Sequence, residues 1–257
     1  MIITKTAVKI SSPVEKIEKY DRFLFVGPHP DDIEIGAGAF AAKLVDSGKT
    51  VKFLICTDGR FGLPRNVSFE DCPGIIDTRR KEAKASSGLL GVREIEFLDF
   101  SDGGFYDISD LRSAIAGVCG SFKPDVIFAP DIETGSECHI DHINVSLAVR
   151  TIATSLNNKG IMNQYCTDSI DFKALAFYMT ARPNYYVATG SFFDKQLKSI
   201  FDCHLSQFPK GSIEGQAIEK YLKIKSFESG LHCFSSHGEC FRVLNTTQMH
   251  CLPEYGF

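Results

Sequence analysis

Along the first half of the chain, short apolar runs alternate with stretches of helical spacing, and that alternation predicts a mostly parallel sheet with helices on both faces. "RFLFVG" is the first strand, and "IGAGAFAAKLVDSGK" reads as a helix rich in Ala and Leu and closed by Gly48. "TVKFLICTD" is a second strand, "DTRRKEAKASSGLLG" a second helix ending at Gly91, and "REIEFLDF" a third strand. "SDLRSAIAGVCGSF" is a third helix and "PDVIFAP" a fourth strand. Beyond Pro130, "HINVSLAVRTIATSL" and "FFDKQLKSIFDCHLSQF" have helical spacing, while "ALAFYMT" and "NYYVATG" read as strands. The expectation is a single α/β domain over residues 1–257, with the C-terminal quarter, rich in Phe, Cys and His, as a smaller subregion or an interface.

Composition narrows what such a sheet can do. A chain of 257 residues, 44% of them hydrophobic, can bury a sizeable core. Its net charge of -4 provides no basic footprint, so nucleic acid is not an expected partner. The stretch "MIITKTAVKISSPVEKIEKY" lacks the continuous apolar core of a signal peptide, and no later run is long enough to span a bilayer, so the expected location is the cytoplasm. The nine cysteines are scattered, odd in number and without a CxxC pair, which favours thiols over a disulfide framework or a thiolate metal cluster. Gly36 and Gly38 begin a dinucleotide-binding pattern that fails at Ala41, so a nicotinamide cofactor is not expected.

In a sheet of this kind ligands gather just beyond the carboxyl ends of the strands. His29, Asp31 and Asp32 follow "FLFVG" directly, Thr57, Asp58 and Arg60 follow the second strand, and "PDIETGSECHIDH" carries His139, Asp141 and His142 past the fourth. Imidazole and carboxylate are common ligands of divalent zinc, whose catalytic sites use three protein ligands and keep a position for water. Neighbouring side chains in an extended turn point in different directions, so one of Asp31 and Asp32 can bind metal while the other faces the water. Taken singly, an acidic pair after a strand is more often a helix N-cap or turn, and an isolated H-x-x-H is usually incidental. Their joint occurrence at one sheet edge is what raises a metal site to a serious alternative.

"HPDDIEIGAG" resembles the signature of the PIG-L/LmbE zinc deacetylases, and "ICTDGRFG", "TRRKEAKASSGLLGV", "FLDFSDGGF", "KPDVIFAPD", "HIDH" and "CHLSQF" resemble its later blocks in order, from about Phe23 to about Phe208. The resemblance implies a Rossmann-like fold and hydrolysis of an N-acetyl group from an N-acetylglucosamine-type sugar or conjugate. Carried over by motif, His29, Asp32 and His142 would hold one Zn2+, Asp31 would be the general base, His139 would stabilise the oxyanion or assist the leaving amine, and Asp141 would orient a histidine. Arg79 and Asp102 would lie near the sugar. Arg60 stands where an acid is common in the family, so an anionic substituent on the substrate is favoured if it lines the mouth. His204 is expected to support the site's wall, and "LHCFSSHGEC" to pack or face solvent. The resemblance also implies a homo-oligomer. Two alternatives stand beside the deacetylase: an amidase for a longer acyl group, and a non-catalytic binding module that kept the fold.

Overall fold

The computed structural model describes residue 6 and residues 10–63 and 67–250. Seven strands form one sheet: β1 (Arg22–Gly27), β2 (Thr50–Thr57), β3 (Glu94–Phe100), β4 (Val126–Pro130), β5 (Ala174–Tyr178), β6 (Tyr185–Ala188) and β7 (Gly238–Asn245). Their order is β3-β2-β1-β4-β5-β7-β6. All pairings from β3 to β5 are parallel, and β7 runs antiparallel to both β5 and β6. The parallel part has the order of doubly wound sheets, with its reversal between β1 and β4, the position where such sheets open a crevice. The helices are α1 (Asp32–Asp46), α2 (Ile75–Leu90), α3 (Ile108–Phe122), α4 (Ile140–Ala153), α5 (Lys159–Gln164), α6 (Phe192–Phe201) and α7 (Ile213–His232). No helix among the described residues is long and apolar enough to cross a membrane.

Strand side chains alternate between the two faces, and each face has its own core. Phe23, Phe25, Phe53, Ile55 and Phe128 pack with Ile33, Phe40 and Leu44 of α1 and Leu90 of α2. Leu24, Val26, Leu54, Ile127 and Phe177 pack on the other face with Leu111 and Ile115 of α3 and Val145 and Val149 of α4. Because both faces are covered, the central strands read as unbroken apolar runs, which is why they were legible.

Two features are not legible from periodicity. The C-terminal quarter supplies β7 to the interior of the sheet, and that strand is buried along almost its whole length, so it has no alternation to mark it. The helix over "FFDKQLKSIFDCHLSQF" stops at Phe201. The remainder leaves the helical path and Ser206 is clamped instead by Glu82 of α2, whose carboxylate accepts its backbone N–H at 2.8 Å and its hydroxyl at 2.5 Å.

Helix α1 is interrupted at Ala37 (φ −154°, ψ 16°), and two side chains from distant elements satisfy the backbone groups released there. Gln196 of α6 donates through Nε2 to the carbonyls of Glu34 (2.8 Å) and Ile35 (3.3 Å). Glu239 of β7 accepts the N–H groups of Ala39 (3.1 Å) and Phe40 (2.7 Å). Gly36 makes the close approach possible, since a Cβ there would lie 2.2 Å from the Tyr178 ring. Replacing Glu239 with alanine orphans two buried donors, at about 1–3 kcal/mol each, so Glu239→Ala is expected to lower unfolding free energy by about 2–6 kcal/mol in denaturant titration.

The pH dependence follows from the same burial, which outweighs the two N–H bonds and pushes Glu239 up from 4.5 to about 8. The folded chain then holds a proton that the unfolded chain releases, so this group's contribution is complete below 4.5 and declines as pH rises towards 8. Glu239→Ala should remove that slope.

Candidate active site

At the end of β1 the chain turns through Pro28, His29 and Pro30 into α1. Asp31 occupies the N-cap position with φ 136° and ψ −26°, a strained conformation for a residue other than glycine. Its side chain caps nothing. Oδ2 of Asp31 instead lies 3.1 Å from Nη2 of Arg79, and no described residue bonds Oδ1. Arg79 is 3% exposed and spends its other bonds on the carbonyls of Pro30 and Gly59, both at 3.0 Å. A buried guanidinium must be paired, and here its fork is turned onto the Asp31 turn.

Asp32 gathers the neighbouring rings. Its Oδ2 accepts the His29 backbone N–H at 2.8 Å, lies 3.1 Å from His29 Nδ1, and lies 3.4 Å from Nε2 of His142. The far nitrogen of His29 is 3.1 Å from Asp102 Oδ1 and 3.2 Å from Asp141 Oδ2. Asp102 is itself buried and its second oxygen accepts the Phe61 N–H at 3.1 Å, so it too is committed to the site's interior. Asp141 is fully buried and accepts N–H bonds from Gly103 (2.8 Å) and Gly104 (2.9 Å) and the Tyr106 hydroxyl (2.9 Å). Both glycines have positive φ, 86° and 79°, which lets consecutive N–H groups aim at one carboxylate.

His139 caps α4, its Nδ1 accepting the Asp141 N–H at 3.3 Å. A neutral His139 ring therefore carries its proton on Nε2, and the side chain is half exposed. Nδ1 of His142 is 2.8 Å from Oε2 of Glu137, and Oε1 of Glu137 accepts the His139 N–H at 2.9 Å.

These surroundings drive the two adjacent acids apart. Burial, partly offset by Arg79, pushes the Asp31 carboxyl up to about 6. Asp32 goes well below the usual range, since the His142 and His29 rings outweigh its burial. Burial works against a charged His142, yet Asp32 and Glu137 push it up to about 9. Burial and the adjacent His29 and His142 rings hold His139 below its ordinary value. Adjacent acids driven apart in this way can divide the work of a proton acceptor from that of a group that stays ionised.

The donors fit a divalent metal. Asp32 Oδ2 has an imidazole nitrogen on either side, His29 Nδ1 at 3.1 Å and His142 Nε2 at 3.4 Å, and Asp141 and Glu137 each hold the other nitrogen of one ring. Among the described residues, the groups whose ligand atoms lie within 4.8 Å of one another are His29 with His139 and His142, and His29 with Asp102, His139 and Asp141.

The other singled-out residues have partners of their own. Arg60 is paired with Asp58, Nε to Oδ2 at 2.9 Å, and its guanidinium stands 5.0 Å over the Phe69 ring, so its charge is already balanced. His204 is fully buried with Nε2 3.3 Å from Glu34. His232 stacks on Tyr186 at 4.3 Å and His237 on Phe193 at 4.5 Å. Sequence reasoning missed Glu137 and Tyr106. Glu137 lies inside "PDIETGSECHIDH", but an irregular loop has no period from which the direction of a side chain can be read.

Residues 24–153 match the family model described as PIG-L: GlcNAc-PI de-N-acetylase, just over half of the chain. The chain belongs to the PIG-L family. A diacetylchitobiose deacetylase of Thermococcus kodakarensis is 30% identical to this PIG-L protein over 260 residues, covering 98% of this chain and 92% of the relative. Among solved structures, the N,N'-diacetylchitobiose deacetylase of Pyrococcus horikoshii in complex with its inhibitor MPG superposes with a TM-score of 0.85 at 27% identity, over 98% of this chain and 95% of that one. The 4-carboxy-2-hydroxymuconate hydratase GalB of Pseudomonas putida shares the fold at 16% identity and a TM-score of 0.71, over 88% of this chain and 96% of that one. The PIG-L fold alone therefore does not name a reaction, and the side chains at the site must do so.

Proposed function

We propose that this protein is a zinc-dependent hydrolase that removes the N-acetyl group from an N-acetylglucosamine-type sugar or conjugate, as a single α/β domain working in the cytoplasm and as a homo-oligomer. The observation that carries the reading is Asp31, a buried carboxylate with one oxygen held by Arg79 and the other unbonded among the described residues, next to a carboxylate already engaged with two histidines. The names of the two chitobiose deacetylases support an acetylated amino sugar as substrate. The eight described cysteines are all free, which suits a reducing compartment.

His29, Asp32 and His142 would hold the zinc, which when bound polarises the acyl carbonyl and lowers the pKa of a water to roughly 7. Arg79 fixes the direction of Asp31, so that the free oxygen of Asp31 takes the proton from the attacking water. The water's oxygen bonds to the acyl carbon, and the C–N bond breaks as Asp31 passes that proton to the departing nitrogen, leaving a free amine and acetic acid, which ionises to acetate. His139, with its proton on Nε2, donates to the charge that grows on the carbonyl oxygen. Phe61 and Phe105, half exposed and largely exposed, meet edge to face at 6.0 Å beside Asp102 and offer an apolar rim to a sugar ring.

The test is acetate release from N-acetylglucosamine, diacetylchitobiose and an N-acetylglucosaminyl inositol by zinc-loaded and chelator-treated protein. Metal-dependent acetate from at least one is the expected result. Turnover confined to a longer N-acyl analogue would replace the acetyl group in this reading, and bound zinc with no acyl release from any donor would defeat it.

A further inference from the structure

Helix α7 is built inside out. A surface helix normally buries its apolar stripe and exposes its polar face. This one buries Gly215, Leu222, Ser226, Ser229 and Gly230, and turns Tyr221, Ile224, Phe227 and Leu231 to the outside at 56%, 69%, 58% and 62% exposure. Ile213 begins the stripe at 82%, and Phe234, just past the helix end, is fully exposed. With Ala217 between them, the steps are three or four residues throughout, so the side chains form one continuous band along the helix. Contiguous apolar patches on this scale mark interaction sites.

We infer that the exposed face of α7 is the surface through which the chain pairs with a second copy of itself, which gives a location to the self-association proposed above and is independent of the deacetylase reading. At roughly 150–250 Å² for a large side chain and a mean exposure of about 70%, the six together offer roughly 600–1,000 Å², a range that includes the ~800 Å² per partner of a standard stable interface. The band is also self-complementary. With two copies antiparallel about a two-fold axis at Ile224, Tyr221 stands level with Phe227 of the other copy, Ala217 with Leu231, and Ile213 falls within a residue of Phe234. A membrane surface is the weaker occupant, because interfacial helices carry a Lys/Arg-rich polar face. In α7 the three lysines 220, 223 and 225 are balanced by the three glutamates 214, 219 and 228, and the side opposite the band is packed against the protein. Pairing would also border the site: Tyr221 lines a cavity of about 430 Å³ whose wall includes Glu137, the partner of His142.

The experiment is sedimentation equilibrium on the full chain at several concentrations, with Ile224→Glu and Tyr221→Lys made separately so that a folding failure in one leaves the other informative. Both positions are exposed, so each variant should keep the wild-type circular dichroism. The wild type is expected at a multiple of 28.4 kDa, and each variant with its dissociation constant raised at least 100-fold. A monomeric wild type at 100 μM overturns the inference, whether another segment of the chain or a different partner covers the band. So does an unchanged mass in both folded variants. Neither readout depends on acetate release, so a failed deacetylase reading leaves a distinct signature.

Discussion

Asp31→Asn is expected to lower kcat for acetate release by about 10²–10⁴-fold while leaving the metal bound, because the proposed mechanism makes Asp31 the general base, whose removal costs that much, and assigns the metal to other residues. Asparagine is the appropriate replacement. It tolerates positive φ better than most residues, so the 136° backbone angle at this position is the least disturbed, and its carbonyl oxygen still accepts from Arg79. What it lacks is a group that can carry a proton away from water and return it to nitrogen. The measurement is kcat beside metal content on the same preparation. Loss of metal in step with activity would put Asp31 among the ligands, and full activity would remove it from the chemistry. In the same proposal Arg79 acts through its 3.1 Å contact with Asp31, so its loss should fall on kcat more than on KM.

The second large effect belongs to the ligands and to what orients them. Chelation, or His142→Ala, is expected to abolish metal binding and acetate release together. Glu137→Ala should be graded: it frees Nδ1 of His142 from its 2.8 Å partner, and loss of such an orienting group weakens metal affinity by about 10–100-fold. Glu137→Gln retains an acceptor for that ring N–H and should recover most of the affinity. Competition with a chromophoric chelator reads both without reference to turnover. Equal affinity in Glu137→Ala and wild type would reduce the contact to loop packing.

Much of this architecture was written in the chain. The central strands are buried on both faces, which forces continuous apolar runs, and each run ends in a turn at the carboxyl edge of the sheet, which is where His29, Asp32, His139 and His142 stand. The alternation of strand and helix, and the ordered blocks of a deacetylase family, needed no coordinates. Strand β7 and the exposed band of α7 escaped because period-based reading assumes that an element is half buried with its apolar side inward, and these two break that assumption in opposite ways.

The residue types of the site and their order along the chain were determined by sequence alone; their partners were decided by tertiary structure. Arg79 and Asp102 are both buried, and packing sets them against Asp31 and His29, neither of which their motifs indicate. Glu137 and Tyr106 bear no motif, yet loop geometry brings them onto His142 and Asp141. The reason is physical. A run of residues dictates which backbone conformations are cheap and which faces are apolar, whereas the pairing of a buried charge depends on which other groups the fold brings within about 3 Å of it, and that is a property of the whole chain.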